Sequence, residues 1–245
     1  MTMAFSINRW VAWAPGLTEQ DAWTRWFSEP HSLPAEGTPP LSEMSAMMRR
    51  RVERLGRFAL QAAYECQGDS PSVPVIFASR FGDISRSVDL LRQLAHSVPL
   101  SPTSFSLSVH NAIGALYSIA RGDTSAYTAI AAGEETVEAA FTEASALLAD
   151  GARDVLVVLY DEPLPEPLGH ASGQMDFPRA WACWLRSGDE APGYSLTCHP
   201  AEDTRDAPSS DGLPEDLTVL RFLVSSGARL DHKVGTRCWR WQRHA

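Results

Sequence analysis

The sequence of 245 residues lacks the short motifs that mark several large classes of enzyme. It has no GxSxG nucleophile elbow, no GxGxxG after a strand, no P-loop and no HExxH pair. These absences argue against an α/β-hydrolase, a dinucleotide-dependent oxidoreductase, a P-loop nucleotidase and a zinc metalloprotease.

Cysteine is sparse and scattered. Cys66, Cys183, Cys198 and Cys238 form no CxxC pair and have no neighbouring histidine placed to complete a zinc site. We interpret them as isolated thiols. We therefore predict no metal, no disulfide and no cofactor.

Basic residues are in the minority. The chain has 21 Lys and Arg against 30 Asp and Glu, for a formal charge of -9. This balance argues against nucleic-acid binding, because phosphates are held by clustered cations. One basic cluster, Arg49 to Arg51, falls in a helical pattern; we interpret it as a solvated helix face, with a contact to an acidic partner as the alternative.

Long apolar runs are also missing. No stretch approaches the roughly 20 apolar residues that cross a bilayer, so we predict no membrane span. The amino terminus is typical of a strand running into a turn at Pro15 and Gly16 rather than of a signal peptide, and we expect a cytoplasmic protein. A hydrophobic fraction of 44% predicts a single globular domain over residues 1–245.

The hydrophobic pattern alternates between helix and strand. Apolar residues at three- and four-residue steps predict one long helix from Ser42, ended by Gly68. A strand is predicted at 73–79 and a second helix at 83–96, whose apolar face is formed by Ile84, Val88, Leu91, Leu94 and Ala95. This alternation favours a layered α/β architecture with a mainly parallel sheet.

The other predicted elements are shorter. Residues 29–40 and the polar stretch 201–214 are predicted to be loops, the second of them exposed. The remaining strands are predicted at 5–13, 126–131, 154–160, 180–185, 194–199 and 236–242, and the remaining helices at 18–27, 112–120, 134–149 and 216–225.

Two pairs of residues have side chains that could carry chemistry. His110 titrates near neutrality and could act as a base beside Asn111. The alternative is that His110 hydrogen-bonds the backbone in a tight strand-to-helix turn. Asp161 and Glu162 follow a predicted buried strand, a usual place for function. Since prolines follow at 163 and 165, we interpret these acids as facing water in a loop and assign them no role.

Several segments, in order along most of the chain, resemble the amino-terminal half of a β-ketoacyl synthase. They are similar in particular to short relatives described as chain-length-factor-like. The resemblance implies a thiolase-like, layered α/β/α fold with a single domain. Full ketosynthases are about twice as long and carry two catalytic histidines in their second half. The segments are residues 5–17, 48–63, 78–95, 101–122, 125–135, 136–150, 154–160 and 159–165.

The residue type that defines catalysis in that family is missing. In ketosynthases a strand delivers a cysteine to the start of a buried helix, whereas no Cys, Ser or Thr lies between Ile130 and Glu135 here. Counting along the strand places Ala132 at the nucleophile position, and counting back along the helix places Glu134 there. Glu134 could imitate a bound acid; alternatively, Glu134 and Glu135 stabilise the first helical turn by about 0.3–1 kcal/mol each.

The resemblance also implies a dimer interface. It places Ser104, Phe105, Ser108 and Val109 beside the acyl tunnel of a partner subunit. Phe105 would then close the end of that tunnel; the alternative is an ordinary core or interface residue. Interface positions implied by the resemblance are His110 and Asn111, together with the strand residues Ala126, Tyr127, Thr128, Ala129, Ile130 and Ala131.

The implied function is that of a non-catalytic chain-length-factor-like subunit, paired with an active ketosynthase in aryl polyene, polyketide or fatty-acid-like biosynthesis. Acyl carrier protein would deliver the growing chain and dock mainly on the ketosynthase. Two alternatives remain open. One is a malonyl-carrier-protein decarboxylase that uses Glu134, His110 and Asn111, and the other is a homodimeric acyl-binding or scaffold protein.

Overall fold

A mixed sheet of eight strands forms the centre of the molecule in the computed structural model, which describes residues 2–169, 175–187, 193–201 and 212–244. The strand order is β3-β2-β4-β5-β1-β6-β8-β7. The strands are β1 (Thr2–Trp13), β2 (Val75–Ala78), β3 (Tyr127–Ile130), β4 (Asp154–Asp161), β5 (Arg179–Ser187), β6 (Gly193–Pro200), β7 (Arg229–Val234) and β8 (Arg237–His244).

Helices cover both faces of this sheet. They are α1 (Gln20–Ser28), α2 (Ala46–Arg49), α3 (Arg54–Gln67), α4 (Ile84–Ala95), α5 (Pro102–Ser106), α6 (Ala112–Arg121), α7 (Thr136–Ala149) and α8 (Glu215–Val224). One hydrophobic core packs α1, α7 and α8 against the sheet, and a second packs α3 and α6 against the opposite face. The predicted layered α/β/α fold is confirmed.

The expectation of a mainly parallel sheet is wrong. In the described part of the sheet, only β2 has parallel neighbours, with β3 on one side and β4 on the other. All the other pairings are antiparallel. The physical reason is that a parallel pair needs a long crossover, usually a helix. The connection from β4 to β5 contains no helix among its described residues, and β7 and β8 are joined by two residues.

The long helix predicted between Ser42 and Gly68 is broken in two. Between α2 and α3 the chain turns, and Glu53 is extended, with φ -70° and ψ 175°. Val52 is buried in the turn and packs into the same core as α3. The apolar spacing continues across the break because both sides of the turn bury residues in that core, so periodicity alone does not reveal it.

Three further differences concern shorter segments. Neither α5 nor β7 was predicted, since both are short and carry mostly polar residues. Most of the predicted exposed loop at 201–214 lies outside the described residues, but Leu213 at its end is buried in the core. No helix in the described part of the chain is long and apolar enough to cross a membrane.

Candidate functional site

The turn between β3 and α7, which we call the elbow, occupies the place where the resemblance puts a nucleophile. After Ile130 the chain passes through Ala131 and Ala132 into a short 3-10 turn, Gly133–Glu135, and then into α7. Ala132 and Glu134 are both exposed. A methyl group and a carboxylate at these two positions cannot form an acyl thioester.

The hydroxyl group closest in sequence to the elbow is that of Thr136, and it is already engaged. Its Oγ1 donates to the carbonyl of Gly133 at 2.7 Å and accepts from the amide of Ala132 at 3.1 Å. Thr136 is also buried, with 3% of its surface exposed. This hydroxyl therefore holds the turn in shape rather than pointing into solvent as a nucleophile would.

The first residues of α7 are held by the hairpin of β7 and β8. Glu135 accepts a hydrogen bond from Trp239 Nε1 at 2.8 Å and pairs with the guanidinium of Arg237. Glu135 lies in the first turn as predicted, but its carboxylate binds these hairpin donors, and no side-chain cap to the helix amides is formed. The carboxyl-terminal hairpin therefore fixes the elbow.

A second contact of the same kind lies one turn further along α7. Glu138 is fully buried and accepts from His232 Nδ1 at 2.8 Å and from Trp241 Nε1 at 3.2 Å. Burial lowers the pKa of His232, but the hydrogen bond and charge of Glu138 outweigh it, so the pKa of His232 is raised. The contact with Glu138 therefore favours the protonated form of His232, whose charge would offset that of the buried carboxylate.

Asp161 is the last residue of β4 and is half-buried, so the interpretation that it faces water in a loop is wrong; Glu162 follows the strand and is half-buried at the edge of a cleft. Asp161 accepts from Ser79 Oγ at 2.9 Å and from the amide of Arg80 at 3.1 Å. Glu162 accepts from Ser85 Oγ at 3.2 Å. Burial raises the pKa of both carboxyl groups, that of Asp161 to about 7. The two acids thus bind the end of β4 to the segment that follows β2.

A buried ion pair adjoins this cluster. Arg179 Nε donates to both carboxylate oxygens of Asp216 at 3.0 Å, and its Nη2 donates at 2.6 Å. Trp181 Nε1 also donates to Asp216, at 3.2 Å. A cavity of about 10 Å³ separates the cluster from Gly133 and Glu134. It has room for about one water molecule, so it is not a substrate site.

His110 hydrogen-bonds the backbone, as one of the two interpretations expected. Its Nε2 lies 3.0 Å from the carbonyl oxygen of Ser79. A carbonyl can only accept, so Nε2 carries the proton and cannot act as a base. The ring packs on Gly82, which has φ +61° and where an added Cβ would lie 2.9 Å from His110 Cδ2.

The turn around His110 connects two helices, so the expected strand-to-helix turn is wrong. Pro102 occupies the first turn of α5, and Ser101 Oγ caps that helix by accepting from the amide of Ser104 at 3.3 Å. Asn111 is the N-cap of α6 but makes no side-chain cap. The sequence Ser101-Pro102 contains both signals for the start of α5, a capping serine followed by a proline in the first turn.

The four predicted tunnel residues lie around α5. Phe105 is 64% exposed and Val109 is 51% exposed. Ser104 and Ser108 are half-buried, and Ser108 Oγ donates to the carbonyl of Phe105 at 2.8 Å. The interpretation of Phe105 as a core residue is therefore wrong, whereas a position at an interface agrees with its exposure.

Large exposed apolar side chains are concentrated in one stretch of chain. Nine of them are exposed in the described part of the structure, and seven lie between residues 81 and 119. The predicted core face of α4 is among them, because Val88 is buried while Leu91 and Leu94 are more than half exposed. Exposed apolar side chains in such number are a feature of interaction surfaces. This apolar face consists of Phe81, Leu91, Leu94, Val98, Phe105, Val109 and Ile119.

Among the described strands, β3 lies at one end of the sheet and pairs with β2 alone. Its residues Tyr127, Thr128, Ala129 and Ile130 are half-buried, and the flanking Ala126 and Ala131 are exposed. Helix α6 packs against this strand, with Gly114 so close to the Tyr127 ring that an added Cβ would lie 2.7 Å from it. No described strand pairs with the second edge of β3, so this edge can add another strand.

A family model described as "Beta-ketoacyl synthase, N-terminal domain" matches residues 23–242. The chain belongs to the β-ketoacyl synthase family. Comparison with curated proteins finds no match. Among solved structures, the chain resembles one from "Ketosynthase (ApeO) in Complex with its Chain Length Factor (ApeC) from Xenorhabdus doucetiae", with TM-score 0.82 and 24% identity over 98% of this chain and 99% of that one.

Two further structures show the same fold. The ishigamide ketosynthase/chain length factor matches with TM-score 0.63 and 16% identity, over 82% of this chain and 68% of that one. A β-ketoacyl synthase from Burkholderia phymatum STM815 matches with TM-score 0.61 and 12% identity, over 83% of this chain and 66% of that one. The thiolase-like fold inferred from sequence is confirmed.

The four thiols of this ketosynthase-family chain take no part in the elbow. Burial raises the pKa of Cys66 to about 12 and raises that of Cys183 well above its usual range. Cys238 is buried and Cys198 exposed, and the described residues contain no disulfide. No group of three or more potential ligands that could hold a metal occurs within the described ranges.

Proposed function

We propose that this chain is a non-catalytic, chain-length-factor-like subunit that pairs with an active ketosynthase and shapes its acyl tunnel. One observation carries the proposal: an unpaired edge of β3 and a group of exposed apolar side chains occur together, in the described residues, on a family fold whose elbow has no nucleophile. The partner supplies the cysteine and both histidines. Acyl carrier protein delivers a chain in aryl polyene, polyketide or fatty-acid-like biosynthesis.

The comparisons support this pairing. The matched chain in the ApeO and ApeC complex has nearly the same length as this one, since the alignment covers 98% of one and 99% of the other. That complex pairs a ketosynthase with its chain length factor. The ishigamide proteins form a pair of the same description.

The decarboxylase alternative loses support from the geometry. Its base would be His110, whose Nε2 donates to the carbonyl of Ser79, which leaves Nδ1 as the one ring nitrogen able to accept a proton. The decarboxylase would also use Glu134 and Asn111. Neither residue forms a side-chain hydrogen bond with His110 in the described structure. The homodimer alternative uses the same free edge of β3, and the experiment below separates it from the proposal.

The decisive experiment co-expresses the chain with a catalytically active ketosynthase from the same organism and separates the products by size-exclusion chromatography. The variant Ala129→Pro tests the edge. Amides and carbonyls of Ala126, Thr128 and Ile130 face β2, because Val75 donates to Ala126 and Ser79 to Ile130. The amide of Ala129 therefore points outward, and proline there removes only the donor offered to a partner strand.

We expect the wild type to co-elute with the ketosynthase and Ala129→Pro to bind it at least about tenfold more weakly, equivalent to about 1.4 kcal/mol. The matched control, Ala129→Val, keeps the amide and should co-elute as the wild type does. Circular dichroism checks that both variants fold. Wild-type protein that elutes as a self-dimer and ignores the ketosynthase would favour the homodimer instead.

A second prediction concerns Phe105. If this exposed ring closes the partner's tunnel, lengthening the product beyond it requires overpacking that costs roughly 1–3 kcal/mol. In the assembled complex, Phe105→Ala should therefore shift the product distribution to longer chains, measured by mass spectrometry of the released acyl groups. Phe81→Ala, which removes another exposed ring of the apolar face, is the control. If Phe105→Ala and Phe81→Ala give the same distribution of product lengths, Phe105 does not close the tunnel.

A further inference from the structure

Ser79 directly follows β2 and is completely buried, with 0% of its surface exposed. Its amide donates to the carbonyl of Ile130, at the end of β3, at 3.1 Å. Its carbonyl accepts from His110 Nε2 at 3.0 Å. Its hydroxyl donates to Asp161 at 2.9 Å and accepts from the amide of Gly82 at 2.8 Å. All the polar groups of one buried serine thus join four segments, and we call these five residues the serine junction.

The serine junction fixes the bend that carries Phe81. Before this ring, the amide of Arg80 donates to Asp161 at 3.1 Å, and after it the amide of Gly82 donates to the junction serine. The Arg80 guanidinium lies 5.3 Å from the centre of the Phe81 ring. His110 packs so closely on Gly82 that an added Cβ would lie 2.9 Å from its Cδ2. Phe81 is 44% exposed, yet both of its chain neighbours are held in place.

The same junction fixes the turn between α5 and α6. Val109 is 51% exposed and directly precedes His110, whose side chain is bound to Ser79. The amide of Ala112 donates to the carbonyl of Val109 at 3.0 Å, which ties this turn to the start of α6. Two exposed side chains of the apolar face, Phe81 and Val109, are therefore held through contacts to one buried residue.

Regular secondary structure does not orient these two side chains. Residues 79–83 and 107–111 form neither strand nor helix. An exposed side chain on such a segment loses conformational freedom when a partner covers it, and contacts that order the segment beforehand reduce this cost. Because Ser79 also binds the end of β3, the junction sets the positions of Phe81 and Val109 relative to the edge strand.

We propose that Ser79 and His110 are positioning residues for pairing with the ketosynthase, because they hold Phe81 and Val109 at fixed places beside the edge of β3. This rests on the proposed function, in which the ketosynthase covers the apolar face and that edge. Neither Ser79 nor His110 needs to touch the partner. Their effect on pairing acts through the two exposed side chains.

The test measures the Kd of each variant for the ketosynthase of the co-expression experiment, by fluorescence anisotropy of the labelled ketosynthase. His110→Leu removes the donor to Ser79 and keeps an apolar side chain against Gly82. His110→Gln keeps an N–H donor and is the conservative variant. The matched control is Tyr194→Phe, which removes another buried hydrogen bond to a carbonyl, that of Leu223 at 3.0 Å. Tyr194 lies on β6, separated from β3 by four strands.

We expect His110→Leu to raise the Kd at least tenfold, equivalent to about 1.4 kcal/mol. His110→Gln and Tyr194→Phe should change it less than threefold. In a chain that already carries Phe81→Ala and Val109→Ala, His110→Leu should change the Kd less than threefold, since the side chains that it positions are gone. A His110→Leu protein that pairs as Tyr194→Phe does, or a tenfold loss that persists in the doubly substituted chain, would overturn the proposal.

Ser79→Ala tests the junction from its centre, and circular dichroism checks that each variant folds. It should also raise the Kd at least tenfold, and an unchanged Kd would count against the proposal even if His110→Leu does not fold. Wild-type protein that does not bind the ketosynthase would overturn the proposed function. Amide hydrogen exchange of the chain alone then decides the junction: residues 80–83 and 107–111 should exchange faster in His110→Leu than in Tyr194→Phe, and equal rates would show that the junction does not hold them.

Discussion

Arg179→Met will destabilise the protein by about 3–5 kcal/mol, because it leaves the charge of Asp216 buried without its cation. Arg179 is 3% exposed and Asp216 is 7% exposed. The guanidinium contacts both carboxylate oxygens, and only Trp181 Nε1 would remain to satisfy them. Urea unfolding followed by circular dichroism measures the change in the free energy of unfolding.

Two further variants separate charge burial from other effects. Arg179→Met combined with Asp216→Asn should recover most of the lost stability, because the amide is neutral and its oxygen still accepts from Trp181. Arg80→Met removes one partner of a half-exposed pair with Glu215, where the side chains are 33% and 28% exposed. That change should cost about 0–1 kcal/mol. If Arg179→Met costs no more than Arg80→Met, the buried charge does not have the role assigned to it.

Local features of this chain were predictable because they depend on neighbours in sequence. Alternation and apolar runs located β1, β4 and β5, and helical spacing located α3 and α7. The empty elbow was also predictable, since the lack of Cys, Ser and Thr between Ile130 and Glu135 is a property of sequence alone. The same reasoning could not choose between Ala132 and Glu134, because they are only two residues apart and sequence patterns do not locate the ends of helices and strands that closely.

The contacts that organise the site could not be predicted, because they join residues far apart in sequence. Asp161 meets Ser79 across 82 positions, and Glu138 meets His232 across 94. No pattern near Asp161 distinguishes a buried acid from one in a solvated loop. Prolines at 163 and 165 argued for solvent, but they only end the strand; the partner on the neighbouring strand decides the burial.

Helix α4 shows a different limit. Its apolar spacing correctly predicted a helix, but Leu91 and Leu94 are exposed, so the same spacing did not predict what the face packs against. Hydrophobic periodicity indicates that one face of a helix is apolar. It does not indicate whether the residues that pack on this face belong to the same chain or to another one. In a subunit of a complex, this distinction separates core from interface.

The second large effect that we expect is a dependence of the free energy of unfolding on pH, caused by the titration of His232. Its pKa is raised in the folded protein, because the hydrogen bond and charge of the buried Glu138 outweigh the cost of burial. The folded state therefore binds this proton more tightly than the unfolded chain does. The stabilisation is fully present below the unfolded pKa, near 6.5, and is lost as the pH rises through the folded pKa.

His232→Asn removes the titration and keeps an N–H donor for Glu138. We expect the free energy of unfolding of the wild type to exceed that of the variant most at pH 5.5 and least at pH 9, measured by urea unfolding. Asp161, whose pKa is raised to about 7, changes stability in the same direction over part of this range. It contributes equally to both proteins, so it cancels in the difference between them.

His232→Phe additionally removes the donor and leaves the carboxylate of Glu138 with Trp241 alone, which should cost about 1–3 kcal/mol. A difference between wild type and His232→Asn that is constant across pH would show that the pKa of His232 is the same in the folded and unfolded protein, and a difference that rises with pH would show that His232 stays neutral beside Glu138. The groups that face His232 are Glu138, Glu134 and Glu215, all of which favour its proton. Glu135 and Glu138 hold the hairpin against the first turns of α7, so loss of the His232 proton should loosen the contact next to the elbow. Amide hydrogen exchange at residues 132–138 should therefore rise with pH. After correction for intrinsic base catalysis, this rise should be larger in the wild type than in His232→Asn.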